Sequence, residues 1–200
     1  MIKMFDDIDF YKPDFIIKCR NLISAGDIYA VMSNYDARNF AYAMCYVPYA
    51  QDPCTHHIAI PYIGSSSPAE TTRSCGERIV RQMANLDNWD KQIESEHGSG
   101  FRKKLIKQIN NGIYPEDVLD RNNINVGIWN LKFRDKFIKT DSEDTLKTKV
   151  EWIEAEVCMQ HKTIYKKLPV GNVIDMTIRP NYTKSRIARR DSNDQIFLFS

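Results

Sequence analysis

The chain has 200 residues, 42% of them hydrophobic and 27% charged, and a formal net charge of +2. These proportions exclude a disordered polymer, a collagen-like rod and a coiled coil, and the length suits one domain with its own core. No apolar run approaches the roughly 18 residues of a membrane span, and so neutral a total does not by itself predict a nucleic-acid partner, although it hides where the charges sit.

Residues Met1 to Asp7 carry acids where a secretory leader needs a basic and then an apolar stretch, so a cytoplasmic location is expected. The cysteines at 19, 45, 54, 75 and 158 are odd in number and contain no Cys-x-x-Cys pair. That pattern argues for a reducing compartment over a disulfide framework.

Taken in chain order, Pro13 to Ser24 reads as a helix, with a proline start and apolar residues at helical spacing. Asp27 to Met32 is a short β-prone run ending at Ser33-Asn34. Residues 35–55 hold Phe40, Tyr42, Tyr46 and Tyr49 but also Pro48 and Pro53, and read as an elaborated loop with room for an extra strand. His57 to Ile63 is a second strand, closed by Gly64 and a serine run.

Gly76 to Leu86 is amphipathic, with Ile79, Val80, Met83 and Leu86 on one helical face. Phe101 to Asn110 is a basic helix stopped at Asn111-Gly112. Asn125 to Leu131 is a third strand. Ser142 opens the strongest helix, with Ser142 or Thr145 as N-cap and a stripe of Leu146, Val150, Ile153 and Val157. Pro169 and Gly171 bound it, and a strand-like Val173 to Ile178 follows. The expected architecture is α+β, an α/β sandwich in which a small antiparallel or mixed three-stranded sheet is flanked by helices. It forms a single domain over 1–200, with a core at about 26–173 and a basic extension at 174–200.

Tyr62-Ile63-Gly64-Ser65-Ser66, Ile153-Glu154-Ala155 within a helix, and Pro169-x-x-Asn172 occur in that order, with Arg78 on the intervening helix. This ordered set resembles the GIY-YIG nuclease superfamily. Tyr62-Ile63-Gly64 looks like the second half of the signature, and Asp27-Ile28-Tyr29-Ala30-Val31 looks like a degenerate first half with Gly26 displaced by one residue. A literal Gly112-Ile113-Tyr114 comes after the second half and runs into Pro115, so it is taken as chance.

The resemblance implies a divalent-metal-dependent DNA endonuclease, and each residue then has a physical task. Glu154 would hold one Mg²⁺ or Mn²⁺, a hard cation suited to a carboxylate with water and phosphate oxygens. Tyr29 would accept or relay the proton of the attacking water, supported by Tyr62. Arg78 would neutralise the phosphate with its planar donor fork, with Arg73 and Arg81 as alternatives. Asn172 would hold the geometry by hydrogen bonding.

Taken singly, these residues have plainer readings: core tyrosines, a solvated glutamate and a turn asparagine. Cys54-x-His56-His57 lacks a second ligand pair for zinc, and adjacent strand residues face opposite ways. Ser65-Ser66-Ser67 has no Gly-x-Ser-x-Gly setting for a serine hydrolase.

The positive charge is local. Arg102, Lys103, Lys104 and Lys107 give residues 101–110 a net +4, and the tail from 177 carries Arg179, Lys184, Arg186, Arg189 and Arg190 against two acids, a net +3. Read alone, these are a solvated helix and a terminus. Beside the nuclease motifs they are expected to clamp double-stranded DNA, together with Arg73 and Arg81. Site-specific type II restriction is the favoured subclass. A palindromic site would require a homodimer or two sequential nicks. The alternatives are a homing, phage or repair-type nuclease and a nuclease-like fold that binds DNA without cutting it.

Overall fold

A computed structural model describes residues 7–47, 59–67, 71–87, 99–135, 137–169 and 172. Four strands and four α-helices organise them: β1 (Phe15–Lys18), α1 (Ala25–Asn34), β2 (Phe40–Tyr46), β3 (Ala59–Ser66), α2 (Thr72–Asp87), α3 (Ser99–Asn110), β4 (Ile124–Asn130) and α4 (Glu143–Tyr165). The strands form one antiparallel sheet in the order β1-β4-β2-β3.

The expected α+β architecture is present, but the sheet has four strands and not three, and two segments differ from the sequence reading. Pro13 to Ser24 is not a helix. Asp14 commits the segment to β4: its backbone N–H donates to the Ile128 carbonyl at 2.8 Å, and its carboxylate accepts from the Asn130 amide and pairs with Arg134. Phe15 and Ile17 then face the core while Ile16 and Lys18 face out, which is period two and not 3.6.

Asp27 to Met32 is not a strand but the body of α1. Ser24 and Asp27 form a reciprocal capping box, and the Asp27 carboxylate also accepts from the Ile23 amide at 2.7 Å. Ile28 and Met32, one turn apart, are the buried residues of this helix.

The extra central strand is β2, from within the segment read as a loop. Its side chains alternate between bulky Phe40, Tyr42, Met44 and Tyr46 and small Ala41, Ala43 and Cys45. The bulky set packs with Ile28, Met32, Cys75, Ile79, Val80, Met83 and Leu105 on the face carrying α1, α2 and α3. The alanines lie with Ile63 and Trp129 under Val150, Ile153 and Val157 of α4. Small side chains on that face let the longest helix approach the sheet closely.

The helices expected near 76–86, 101–110 and from 142 are α2, α3 and α4. The α3 stop has Schellman geometry: Gly112 lies at φ 68°, its N–H donates to Ile109 O, and the Ile113 N–H donates to Gln108 O. The Ser142 hydroxyl caps α4 by accepting the Thr145 N–H at 3.3 Å. No helix among the described residues is long and apolar enough to cross a membrane. The strand-like Val173 to Ile178 and the 174–200 extension lie outside the described residues.

Candidate functional site

The site lies along β3, the edge strand. Tyr42 on β2 stands opposite Gly64, and Met44 stands opposite Tyr62, which makes Tyr42 and Tyr62 diagonal neighbours on one face. Their ring centroids are 5.9 Å apart at 55°. A Cβ on Gly64 would sit 2.9 Å from the Tyr42 hydroxyl oxygen and 2.9 Å from that of Tyr62. Both phenols therefore lean over a position that only glycine leaves open.

Tyr42 is fully buried, and its hydroxyl oxygen closes no hydrogen bond of good geometry. Its polar neighbours are the Arg78 guanidinium and the Tyr62 hydroxyl, both of which interact with it. Arg78 reaches the pair from α2, on the flank of the buried stripe Cys75, Ile79 and Met83. The residue keeps one side in solvent while its guanidinium acts on both phenols.

Burial pushes the Tyr42 phenol far above its ordinary range; Tyr62 and Glu154 push the same way, and Arg78 opposes them. Tyr62 is also raised, chiefly by burial, with Arg78 opposing and Glu154 adding to the shift. In return the phenols, Tyr42 foremost, raise Arg78. At neutral pH both phenols are therefore protonated donors beside a permanent cation.

Glu154 enters from α4, one residue beyond buried Ile153, and accepts a hydrogen bond from the Ser65 hydroxyl of β3. Its charge is felt by Tyr42 and Tyr62, so the carboxylate belongs electrostatically to the same site. Asn172 closes the strand edge. Its Oδ1 accepts the Ile63 N–H at 2.9 Å and its Nδ2 donates to the Ile63 carbonyl at 2.8 Å. Its own N–H donates to Pro169 O at 3.0 Å, the turn that the Pro-x-x-Asn spacing encodes.

Tyr62 and Arg78 are thus brought together on one face of β3, Glu154 is held by Ser65 from the α4 face and acts on the phenols through its charge, and Asn172 braces the strand that carries Tyr62. Tyr29 has another position. It is on a helix, its Cδ1 lies 2.7 Å from where a Cβ on Gly76 would be, and the Arg73 guanidinium carbon stands 5.1 Å from its ring centroid. It packs α1 against α2. The tyrosine paired with Tyr62 is Tyr42, on the extra strand for which the sequence reading leaves room within residues 35–55; the bulky–small alternation of residues 40–46 is the signal that marks it.

Arg81 is exposed and lies 3.7 Å from Glu77, and Lys107 is exposed on α3. Arg102, Lys103 and Lys104 fall within α3, with side chains outside the described set. Lys184, Arg186, Arg189 and Arg190 lie outside the described residues, as do Cys54, His56 and His57.

Among the described residues no group of three or more His, Cys, Asp or Glu side chains gathers to hold a metal. A cation here would rest on the Glu154 carboxylate, with phosphate and water completing its oxygen shell, a donor set that fits Mg²⁺ or Mn²⁺. Compared with protein-family models, curated proteins and solved structures, the chain matches none.

Proposed function

We propose that the chain is a divalent-metal-dependent DNA endonuclease of GIY-YIG type, with Tyr42 in the role that sequence alone assigned to Tyr29. The observation that carries this reading is the buried Tyr42 hydroxyl set beside Tyr62 and Arg78, within the field of Glu154. Two protonated phenols and a guanidinium form a set of donors fixed before any ligand arrives. Such preorganised donors stabilise the charge that builds on phosphate oxygens as a phosphodiester is cleaved. A divalent cation held by Glu154 would supply Lewis-acid stabilisation to the same oxygens and lower the pKa of a bound water.

In this reading Arg78 binds and orients the scissile phosphate, and the Tyr42 hydroxyl donates to one of its oxygens. Tyr62, within reach of Arg78 and of Glu154's charge, orders the attacking water. Asn172 keeps β3 straight beneath them. Duplex DNA is the proposed partner, gripped by the basic 101–110 helix and the tail, and site-specific restriction is the proposed subclass.

The test is cleavage of supercoiled and linear plasmid DNA with Mg²⁺ by the wild-type protein and by Glu154→Ala. Mg²⁺-dependent cutting lost in the variant is expected, and equal cutting by both would overturn the mechanism. Defined fragments select restriction, whereas tight, salt-sensitive binding without cleavage in Mg²⁺ or Mn²⁺ would select a binding-only protein.

A further inference from the structure

The serine run after Gly64 has no place in the roles assigned so far, yet each of its side chains has its own partner. Ser65 donates to Glu154 on α4, Ser66 donates to the Cys75 sulfur on α2 at 3.5 Å, and Ser67 donates to Asn39 Oδ1, just before β2, at 2.8 Å. Consecutive strand residues point to opposite faces, so Ser65 and Ser66 address opposite layers of the sandwich.

We infer that Ser65 is a positioning residue whose hydroxyl fixes the Glu154 carboxylate and thereby sets the protein's affinity for a divalent cation. The inference rests on the reading of Glu154 as the cation's ligand. A glutamate in the middle of a helix ordinarily leaves its carboxylate in water with three torsions free. Glu154 is instead half-buried and tied to a strand residue 89 positions away.

Ser65 is a suitable anchor. It is half-buried on β3, next to Gly64, over which both phenols close, and to Ile63, whose backbone Asn172 holds at both polar atoms. A hydroxyl facing an ionised carboxylate must donate, and O–H to carboxylate hydrogen bonds are among the stronger kind. Fixing a ligand by a second hydrogen bond from the protein is how metal ligands are held in productive orientation. The bond also joins the α4 face, which brings the carboxylate, to the strand that brings Tyr62.

The experiment is a Mn²⁺ titration of the full chain without DNA, up to millimolar metal. It is followed by paramagnetic broadening of glutamate side-chain carbon signals, with thermal melts of the metal-free proteins in parallel. Ser65→Ala should weaken Mn²⁺ binding by about 10- to 100-fold, the usual effect of removing such an outer partner. Ser65→Thr, which restores a hydroxyl, should recover most of the affinity, while the metal-free melting points stay close together. A Ser65→Ala protein that binds Mn²⁺ like wild type, beside a Glu154→Gln protein that does not bind it, would overturn the role of Ser65 alone. If Glu154→Gln also behaves as wild type does, the metal reading fails and takes this inference with it.

Discussion

The hydroxyl of Tyr42 and the hydroxyl of Tyr62 converge over Gly64, each 2.9 Å from the point a Cβ there would occupy. A methyl group at that point lies inside normal contact distance of both oxygens, so one phenol or both must move. Gly64→Ala should therefore cost about 1–3 kcal/mol of stability by overpacking. Cleavage should fall further, by roughly 100-fold, since misplacement of about 1 Å is enough for that. Thermal melts beside single-turnover nicking assays would separate the two effects, and an active, stable alanine variant would mean that the phenols need not converge.

Removing the Tyr42 hydroxyl separates function from folding. Its oxygen closes no hydrogen bond of good geometry, so Tyr42→Phe should change the melting temperature little. Nicking should drop by about 100- to 1,000-fold, the usual effect of losing one preorganised donor. Tyr29→Phe keeps the ring that packs on Gly76 and should cut like wild type. The reverse ranking would return the catalytic role to Tyr29.

Among the three candidate arginines, only the guanidinium of Arg78 is coupled to both phenols. Arg78→Lys keeps a charge but loses the planar fork, and should lower single-turnover cleavage by roughly 100-fold. Arg73→Lys and Arg81→Lys alter a ring contact and an exposed ion pair, and should leave that rate nearly intact. Comparable losses in all three would show that the assay reads DNA binding and not the reacting phosphate.

His161 predicts an acid-sensitive fold. It is buried between the rings of Phe10 and Tyr165, with Nδ1 2.8 Å from the Lys167 carbonyl, and burial lowers its pKa to about 4 from an ordinary 6.5. The unfolded chain therefore takes up the proton first as pH falls. The stability from keeping the ring neutral is fully present above the ordinary value and is lost on descending toward the folded one. At about 1.4 kcal/mol per unit, the loss is at most roughly 3 kcal/mol. Urea midpoints from pH 7.5 to 4 should fall in wild type and fall less steeply in His161→Gln.

Asn172→Ala removes both side-chain hydrogen bonds to Ile63 and leaves a half-buried strand edge unsatisfied. A cost of about 1–3 kcal/mol is expected, with amide exchange at Ile63 accelerated more than at Ala43 on the inner strand. Unaltered exchange at Ile63 would show that the edge does not depend on Asn172.

Much of this arrangement was legible in the residues themselves. The α4 stripe with its Ser142 cap and the α3 stop at Gly112 follow local rules of periodicity and capping, whereas Tyr62, Arg78, Glu154 and Asn172 are grouped only by the resemblance of their order to the GIY-YIG superfamily. What misled was the segment before β3. Asp27 to Met32 is rich in β-branched and aromatic residues, yet Ser24 and Asp27 cap it as a helix and only Ile28 and Met32 need burial. Phe15 to Lys18 offered too short a stretch for period two to stand out, and its strand depends on Asp14 meeting Asn130 and Arg134, 116 and 120 positions away. With α1 read as a strand, Tyr29 is expected beside Tyr62, where the structure has Tyr42. The alternation of bulky and small residues from Phe40 to Tyr46 marks the extra strand, but Pro48 and Pro53 close by give the segment as a whole the character of a loop.

The β2–β3 pairing places Tyr42 against Gly64, Ala43 against Ile63 and Met44 against Tyr62, and the irregularity in the ladder comes only beyond Met44, before Tyr46. Every rung that matters to the chemistry thus lies on the regular side of that break. A shift of one rung would turn Tyr62 and Gly64 to the α4 face and bring Ser65 round beside Tyr42. The register of Tyr42, Ala43 and Met44 is therefore set by the regular stretch of the ladder and by β4 on the other side of β2, which pairs with the same three residues.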